Sequence, residues 1–70
     1  MNSVYAVDLK LGDVFTWNFR PDITFDVVFI VVSAPRRVEG LKITFLAHHS
    51  RFSKVYWMTF WQGEDLRVFE

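Results

Sequence analysis

Two segments carry apolar residues on both faces of an extended chain, and they constrain the fold more than any other feature. Residues 55–61, VYWMTFW, contain four aromatic residues, one Met and one Val, and only Thr59 is polar. Residues 25–32, FDVVFIVV, contain one polar residue, Asp26. Successive side chains of a strand point to opposite faces, so a strand with one face in water should alternate apolar and polar residues. Neither segment alternates, and each therefore has a second apolar face to cover.

Residue types that favour strands dominate the chain. Val, Ile, Thr, Tyr, Phe and Trp supply thirty of the seventy residues, whereas Ala and Leu supply eight. β-Branched and aromatic side chains fit a pleated surface, and little material is left for long helices. A helix over 46–60 is the weaker alternative, because His49 and Ser53 interrupt its apolar stripe. The composition predicts an all-β protein.

Turn-forming residues divide the chain into five predicted strands. Gly12 and Asp13 lie in the turn that leads into the first strand, and Pro21 ends it because proline cannot donate to a strand ladder. A hairpin loop is predicted over 35–40, with further connections at 50–52 and 62–65. The predicted strands are residues 9–19, 23–34, 41–49, 53–61 and 66–70.

Five short strands joined by short loops predict an antiparallel meander in one domain, residues 1–70. The chain has no Cys to form a disulfide, but it has thirteen aromatic residues with which to build a small core. The meander must curl on itself to bury its inner face and to hide its edges. We therefore predict a small five-stranded SH3-like barrel, with a partly open OB-type barrel as the second choice.

The opening segment DLKLGDVF, the hairpin around PRRVEG and the final LRVFE after QGED resemble small SH3-like barrel proteins of bacteriophages and related mobile elements. In those proteins a Leu-x-x-Gly-Asp-Val motif begins the first strand, and the last strand returns to pair beside it. The motif residues here are Leu9, Gly12, Asp13 and Val14. The resemblance implies an SH3-like fold and a phage origin, and it carries over no active-site residue.

Charge is distributed unevenly along a chain whose net charge is zero. Residues 33–56 carry five Lys or Arg and one Glu, whereas residues 1–32 and 57–70 each have two more acidic than basic side chains. Zero net charge argues against an indiscriminate nucleic-acid coat. Because no apolar run is long enough for a membrane span and no signal-peptide pattern is present, we expect a soluble cytoplasmic protein, in the host cell if phage-encoded.

No pattern in the sequence predicts catalysis, a cofactor or a metal site. His48 and His49 are neighbours on a predicted strand and therefore point to opposite faces, and no Cys or HxxxH spacing supplies further ligands. Ser50 and Ser53 lie near these histidines in sequence, but no nucleophile turn surrounds them. We expect a protein that is not an enzyme and needs no cofactor and no metal.

The excess apolar surface predicts protein–protein association, since Trp, Tyr, Phe and Met are enriched at the centres of interfaces. An N-terminal lid of Val4, Tyr5, Val7 and Leu9 is the alternative cover for part of this surface. We expect self-association, binding of a host or phage protein, or both, with Val55, Trp57 and Trp61 directed inward. A register error of one residue would invert these faces. The predicted partner-binding residues are Val28, Ile30, Val32, Tyr56, Met58 and Phe60.

Binding of single-stranded nucleic acid is the alternative function. Small barrels stack bases on exposed aromatic side chains beside a basic groove, with about 1–3 kcal/mol per stacked base. Phe52, Tyr56 and Trp57 are the predicted stacking platforms. The basic residues predicted to line the groove are Arg36, Arg37, Lys42, His48, Arg51 and Lys54.

Overall fold

The computed structural model describes residues 2–17 and 27–69 and confirms the all-β prediction. Its seven strands are β1 Asn2–Tyr5, β2 Val14–Trp17, β3 Val27–Val31, β4 Arg36–Val38, β5 Lys42–His49, β6 Val55–Trp61 and β7 Asp65–Phe69. A 3-10 turn, Ala6–Asp8, follows β1. The helical alternative over 46–60 is wrong, because β5 and β6 occupy that segment. The predicted strand residues at 18–19 and 23–26, and the break at Pro21, lie outside the described residues.

The strands form one antiparallel sheet that curls into a half-barrel. Its order is β1-β7-β2-β3-β5-β4, and β6 pairs with β5 as well. The last strand, β7, pairs with β2, with Phe15 opposite Val68. At one end the 3-10 turn bonds to the turn between β6 and β7, since the Ala6 amide donates to the Glu64 carbonyl. These contacts help to close the core.

Strands β3 and β4 together correspond to one longer strand. β6 occupies one edge of β5, and β3 and β4 share the other edge, β3 at Ala47–His49 and β4 at Lys42–Thr44. Between them the Val32 amide donates to the Leu46 carbonyl, and the Ser33 hydroxyl oxygen accepts the Leu46 amide at 2.7 Å. The side chain of Ser33 thus replaces a backbone partner where the strand bends. This break, together with the additional strand β1, explains why the structure has seven strands where the sequence pattern predicts five.

The hairpin between β4 and β5 is tighter than the predicted loop over 35–40. Arg36–Val38 is a strand rather than part of that loop, and the turn occupies 39–41. Gly40 and Leu41 have φ angles of 78° and 59°, in the left-handed region. Glycine adopts this region freely, but Leu41 pays about 1–2 kcal/mol for it. The strain is compensated in part because the Leu41 carbonyl accepts the Gln62 amide at 2.8 Å.

A cluster of phenylalanine rings occupies the centre of the core. The Phe15 ring stacks on Phe29 at 5.7 Å and meets the edges of Phe45 at 5.7 Å and Phe60 at 6.2 Å. Four strands, β2, β3, β5 and β6, therefore meet at one ring. The buried apolar residues are Ala6, Leu9, Phe15, Phe29, Val31, Ile43, Phe45, Ala47, Met58, Phe60, Leu66 and Val68.

The predicted assignment of faces on β6 is wrong. Met58 and Phe60 are only 5% and 6% exposed, whereas Val55, Trp57 and Trp61 are 50%, 63% and 56% exposed. The physical reason is the pairing with β5, because directly opposite residues of antiparallel strands share a face. Phe45 lies opposite Met58, and Ile43 lies opposite Phe60. The core residues of β5 therefore draw the even-numbered residues of β6 inward.

The N-terminal segment covers the core and leaves the outside of β6 uncovered. Ala6 and Leu9 are buried, and Val4 and Val7 pack against the core cluster, whereas Tyr5 is exposed. Strand β1 reaches this position by pairing with β7. The predicted lid is therefore part of the barrel wall, and Trp57 and Trp61 remain exposed beside it.

Candidate interaction surface

The outer face of the sheet carries a group of apolar side chains that crosses three strands. Trp57 lies opposite Leu46, Val55 lies opposite His48, and His48 lies opposite Ile30, so these positions share one face. Val32 joins them beside Leu46 through its backbone hydrogen bond. We call this set the outer apolar patch: Ile30, Val32, Leu46, Val55, Trp57 and Trp61. Leu46 is half-buried, and the other five are exposed.

The sequence predicts an excess of apolar surface, and the outer apolar patch agrees with that prediction. Some of the residues that form the patch differ from the predicted ones. Ile30 and Val32 lie on the outer face as predicted, and Val28 lies there half-buried. The prediction that Met58 and Phe60 lie on the surface is wrong, because both are in the core. Trp57 and Trp61 take their place outside. The pairing register between β5 and β6 would have identified Trp57 and Trp61 as outward-facing. Using that register requires the core residues of β5 to be known first.

Tyr56 differs from the other predicted partner-binding residues. It lies on the inner side of β6 but remains partly exposed at the end of the barrel. Its ring centroid is 6.4 Å from that of Phe29 and 6.5 Å from that of His49. Tyr56 therefore extends the core outward at this end and does not contribute to the outer apolar patch.

All three tryptophans of the chain line one groove along the edge of β6. The groove has a volume of about 320 Å³ and is lined by Trp17, Trp57, Met58, Thr59, Phe60, Trp61 and Glu64. Trp17 approaches from the core side, where its ring meets Phe60 edge-on at 4.8 Å. Trp57 and Trp61 flank the groove on the outer side. We call this feature the tryptophan groove, and it follows both sides of the β6 edge.

The turn after β6 fixes the position of Trp61. A Cβ atom added at Gly63 would overlap the six-membered ring of the Trp61 indole, so that ring lies directly against the glycine. The φ angle of Gly63 is not in the left-handed region, and the requirement for glycine here is therefore one of space. Trp61 consequently presents a held, exposed ring to the groove.

The outer edge of β6 pairs with no other strand of the described residues. Among residues 2–17 and 27–69, β6 pairs with β5 alone. The bonds from the His49 amide to the Lys54 carbonyl and from the Gln62 amide to the Leu41 carbonyl fix which residues face β5. Hydrogen-bonded and non-hydrogen-bonded pairs alternate along an antiparallel ladder. The even-numbered residues of β6 therefore direct their amides and carbonyls toward β5. Val55, Trp57 and Thr59 direct theirs away from the sheet.

Residues 55–61 carry none of the sequence features that protect an edge strand against pairing with another strand. Natural edge strands carry charged residues, prolines or bulges that prevent addition of a further strand. Residues 55–61 contain no charged residue, no proline and no glycine. Their pairing with β5 runs without a bulge from Lys42–Trp61 to His48–Val55. This edge is a regular, apolar template for strand addition.

The outer face around the patch is electropositive. The Arg36 guanidinium lies 6.0 Å from the centroid of the Trp57 ring, and Lys42 lies directly opposite Trp61. His48 lies on the same face, opposite Val55. Within the described residues, no Asp or Glu occupies the outer face of strands β3 to β6. The outer face of β3 to β6 thus combines exposed tryptophans with cations that no carboxylate of these strands accompanies.

The structure separates the predicted nucleic-acid residues into two groups. Arg36, Arg37 and Lys42 lie at one end of β5, where Arg37 contacts the Gln62 side chain at 3.5 Å. The second group is at the other end of β5 and in the following loop, about 20 Å away along the strand. It consists of His48, Arg51 and Lys54. The two groups do not line one compact groove.

The two histidines point to opposite faces, as predicted. His49 packs against Phe29 at 5.4 Å and Phe52 at 4.8 Å, and its Nδ1 accepts the Arg51 amide at 3.0 Å. Phe52, a predicted stacking platform, is therefore exposed but held against His49. Within the described residues, no three His, Cys, Asp or Glu side chains lie close enough together to hold a metal ion. In the same part of the chain no helix is long and apolar enough to cross a membrane.

Comparison of the chain with protein-family models, with curated proteins and with solved structures finds no match.

Proposed function

We propose that this chain is a non-enzymatic protein-binding module that associates through the outer apolar patch. The observation that carries the proposal is the exposure of Trp57 and Trp61 on one face, beside Val55 and Ile30. Clustered apolar residues of this size are unusual on a monomer surface, and tryptophan is the residue type most enriched among binding hot spots. The partner is a second copy of the chain, another protein of the host or phage, or both.

The patch suits binding because its aromatic side chains are held before a partner arrives. Trp61 lies against the Gly63 backbone, and Trp57 has the Arg36 guanidinium over its ring. Side chains that are already ordered lose less conformational entropy on binding.

We also propose that the half-barrel is of the SH3-like type. Counting β3 and β4 as one broken strand, the order β7, β2, β3–β4, β5, β6 supports an SH3-like barrel with β1 added at the edge. An OB-type barrel is the second choice. The resemblance to phage proteins supports a phage-encoded accessory or host-modulating protein that acts in the host cytoplasm.

Two paired variants test the role of the patch. Trp57→Ala removes the most exposed patch aromatic, and Phe52→Ala removes an equally exposed aromatic outside it. We expect Trp57→Ala to abolish self-association or capture of a partner from the native host, and Phe52→Ala to preserve it. Light scattering measures the mass, and a dye that binds exposed apolar surface reports the patch. A mass of 8.3 kDa at high micromolar concentration without dye binding contradicts the proposal.

Single-stranded nucleic acid is the second candidate, favoured by the cations next to the tryptophans. Arg36 lies over Trp57 and Lys42 lies opposite Trp61, and within the described residues strands β3 to β6 carry no carboxylate on that face. Bases would stack on the indoles while phosphates contact the two cations. Arg36→Glu with Lys42→Glu should then abolish oligonucleotide binding, and binding by the unaltered chain should weaken steeply with salt. No binding at low salt would eliminate this candidate.

A further inference from the structure

We propose that a second copy of this chain pairs with the edge of β6 that no strand of residues 2–17 and 27–69 occupies, so that two half-barrels share one continuous sheet. The pairing is antiparallel, β6 against β6, about a two-fold axis at Met58. It deepens the proposed function and rests on it, because the outer apolar patches of the two copies become continuous across the axis. The occupant of the tryptophan groove is then the partner's β6 strand.

The backbone of β6 supplies the hydrogen-bonding groups for this pairing. Val55, Trp57 and Thr59 direct their amides and carbonyls away from β5, and no strand of the described residues pairs with this row of donors and acceptors. Such a row binds a further strand through main-chain hydrogen bonds. Two β6 strands present the same alternation to each other, so donors of one meet acceptors of the other.

The register follows from the length of the strand. Pairing all seven residues of β6 with a second β6 places Met58 on the axis. Trp57 then lies opposite the partner's Thr59, and Val55 lies opposite the partner's Trp61. The Trp57–Thr59 pairs join residues whose backbone groups point away from β5, as hydrogen-bonded antiparallel positions require. The Trp61 carbonyl already accepts the Glu64 amide at 3.0 Å, so the Val55–Trp61 pair contributes chiefly its side-chain contact. The pair of Val55 with an indole is also of the aromatic and β-branched type that stabilises sheets.

Charge favours the edge over the face as the contact between copies. Stacking two outer faces would bring together Arg36 and Lys42 of both copies, and within the described residues strands β3 to β6 carry no carboxylate to pair with them. Burying unpaired charges of one sign is costly. Edge pairing leaves these cations on β4 and β5, and the two β5 strands are about 14 Å apart. Since residues 55–61 carry no charge, the edge itself meets no repulsion.

The tryptophan groove accommodates the added strand on both sides. Trp17 and Phe60 border the edge from the core side, and Trp57 and Trp61 border it from the outer side. Alternate side chains of an added strand point to these two sides. The groove therefore lies where the partner's β6 must lie, and its walls are the aromatic rings that the pairing would cover.

Amide hydrogen exchange of the unaltered chain tests the pairing residue by residue. NMR spectra of labelled protein are compared at low micromolar and at millimolar concentration. We expect the amides of Trp57 and Thr59 to exchange about tenfold more slowly, or slower still, at the high concentration. The amides of Tyr56, Met58 and Phe60 bond to β5 and should be slow at both concentrations, which makes them the internal control. Exchange of Trp57 and Thr59 that is independent of concentration, whether slow or fast, overturns the inference.

A matched pair of substitutions tests the edge by mass. Thr59→Lys places a charge beside the axis, and Thr59→Val is the uncharged control that also loses the contact between the Thr59 and Thr44 hydroxyls at 3.1 Å. We expect the mass to fall to the monomer value of 8.3 kDa in the Lys variant and to stay at twice that value in the Val variant. Dispersed amide resonances check that both variants fold.

The outcomes separate this inference from the proposed function. A monomer at millimolar concentration that binds the apolar dye overturns edge pairing and leaves binding of another protein by the patch in place. A dimer in which Trp57 and Thr59 still exchange rapidly also overturns edge pairing, because its copies meet elsewhere. A monomer that does not bind the dye overturns both. Conversion to monomer by Thr59→Lys alone, together with the exchange pattern above, supports the inference.

Discussion

The Arg36 guanidinium lies 6.0 Å from the centroid of the Trp57 ring, across the intervening strand β5. This contact joins two properties of the outer face of β3 to β6, its exposed aromatic rings and its basic side chains. Trp57 is 63% exposed, so the guanidinium is one of few groups beside its ring. A cation over an exposed indole is worth about 0.5–1 kcal/mol.

The first prediction concerns this contact. Arg36→Ala should lower the free energy of unfolding by about 0.5–1 kcal/mol, because the cation is lost while the ring stays exposed. The same substitution in a Trp57→Ala background should cost clearly less, and the difference is the coupling between the two side chains. Chemical denaturation of the four chains measures it. Arg37→Ala is the matched control, since Arg37 contacts the Gln62 side chain. Equal costs in both backgrounds would mean that the two side chains do not interact.

The second prediction concerns the space between Gly63 and Trp61. Gly63→Ala should displace the Trp61 indole, because the added methyl group overlaps the outer atoms of its ring. The ring is exposed and can rotate away, so the cost to the free energy of unfolding should be only about 0.5–1 kcal/mol. In a Trp61→Ala background the same change should be close to neutral, since the obstacle is gone and the glycine has no left-handed φ angle to preserve. Thermal unfolding and the indole resonance of Trp61 report both effects. If Gly63→Ala were equally destabilising in the Trp61→Ala background, the backbone conformation of residue 63, and not the indole, would be the reason for glycine.

The strained turn between β4 and β5 yields a stabilising substitution. Leu41 is exposed and has a φ angle of 59°, which costs a leucine about 1–2 kcal/mol. Asparagine tolerates this conformation far better. We expect Leu41→Asn to raise the free energy of unfolding by about 0.5–1 kcal/mol, measured by denaturant unfolding at unchanged slope. Leu11→Asn, another exposed leucine but without a positive φ angle, should not stabilise the fold. If Leu41→Asn lowered the free energy of unfolding, the leucine side chain would stabilise the fold by more than its positive φ angle destabilises it.

Sequence pattern alone was sufficient for the fold class and for the inner face of β5. Ile43, Phe45 and Ala47 alternate with more polar residues, and all three are buried as that pattern indicates. The broken strand was not recognisable, because Ser33 completes the ladder with its side chain and leaves no turn signal other than Pro35. The sequence therefore predicts where strands lie better than where they bend.

The faces of β6 could not be assigned from its own residues. Val55, Trp57 and Trp61 are as apolar as Tyr56, Met58 and Phe60, so periodicity within β6 contains no preference. The preference comes from β5, whose core residues lie opposite Met58 and Phe60. It depends on a pairing register that a single strand does not encode. The sequence therefore predicts that the candidate surface has an excess of apolar area, but it does not predict which residues of β6 form that surface.

The last prediction tests this assignment of faces directly. Met58→Lys should unfold the chain, because an unpaired charge in the core costs several kcal/mol and a domain of this size has a total stability of only about 4–10 kcal/mol. Trp57→Lys, one residue away, should leave the fold intact, because its side chain stands in water on the outer face. The matched pair introduces the same charge into the same strand, so only the direction of the side chain differs. Circular dichroism and amide dispersion distinguish folded from unfolded protein. A folded Met58→Lys variant beside an unfolded Trp57→Lys variant would mean that β6 pairs with β5 one residue out of the described register.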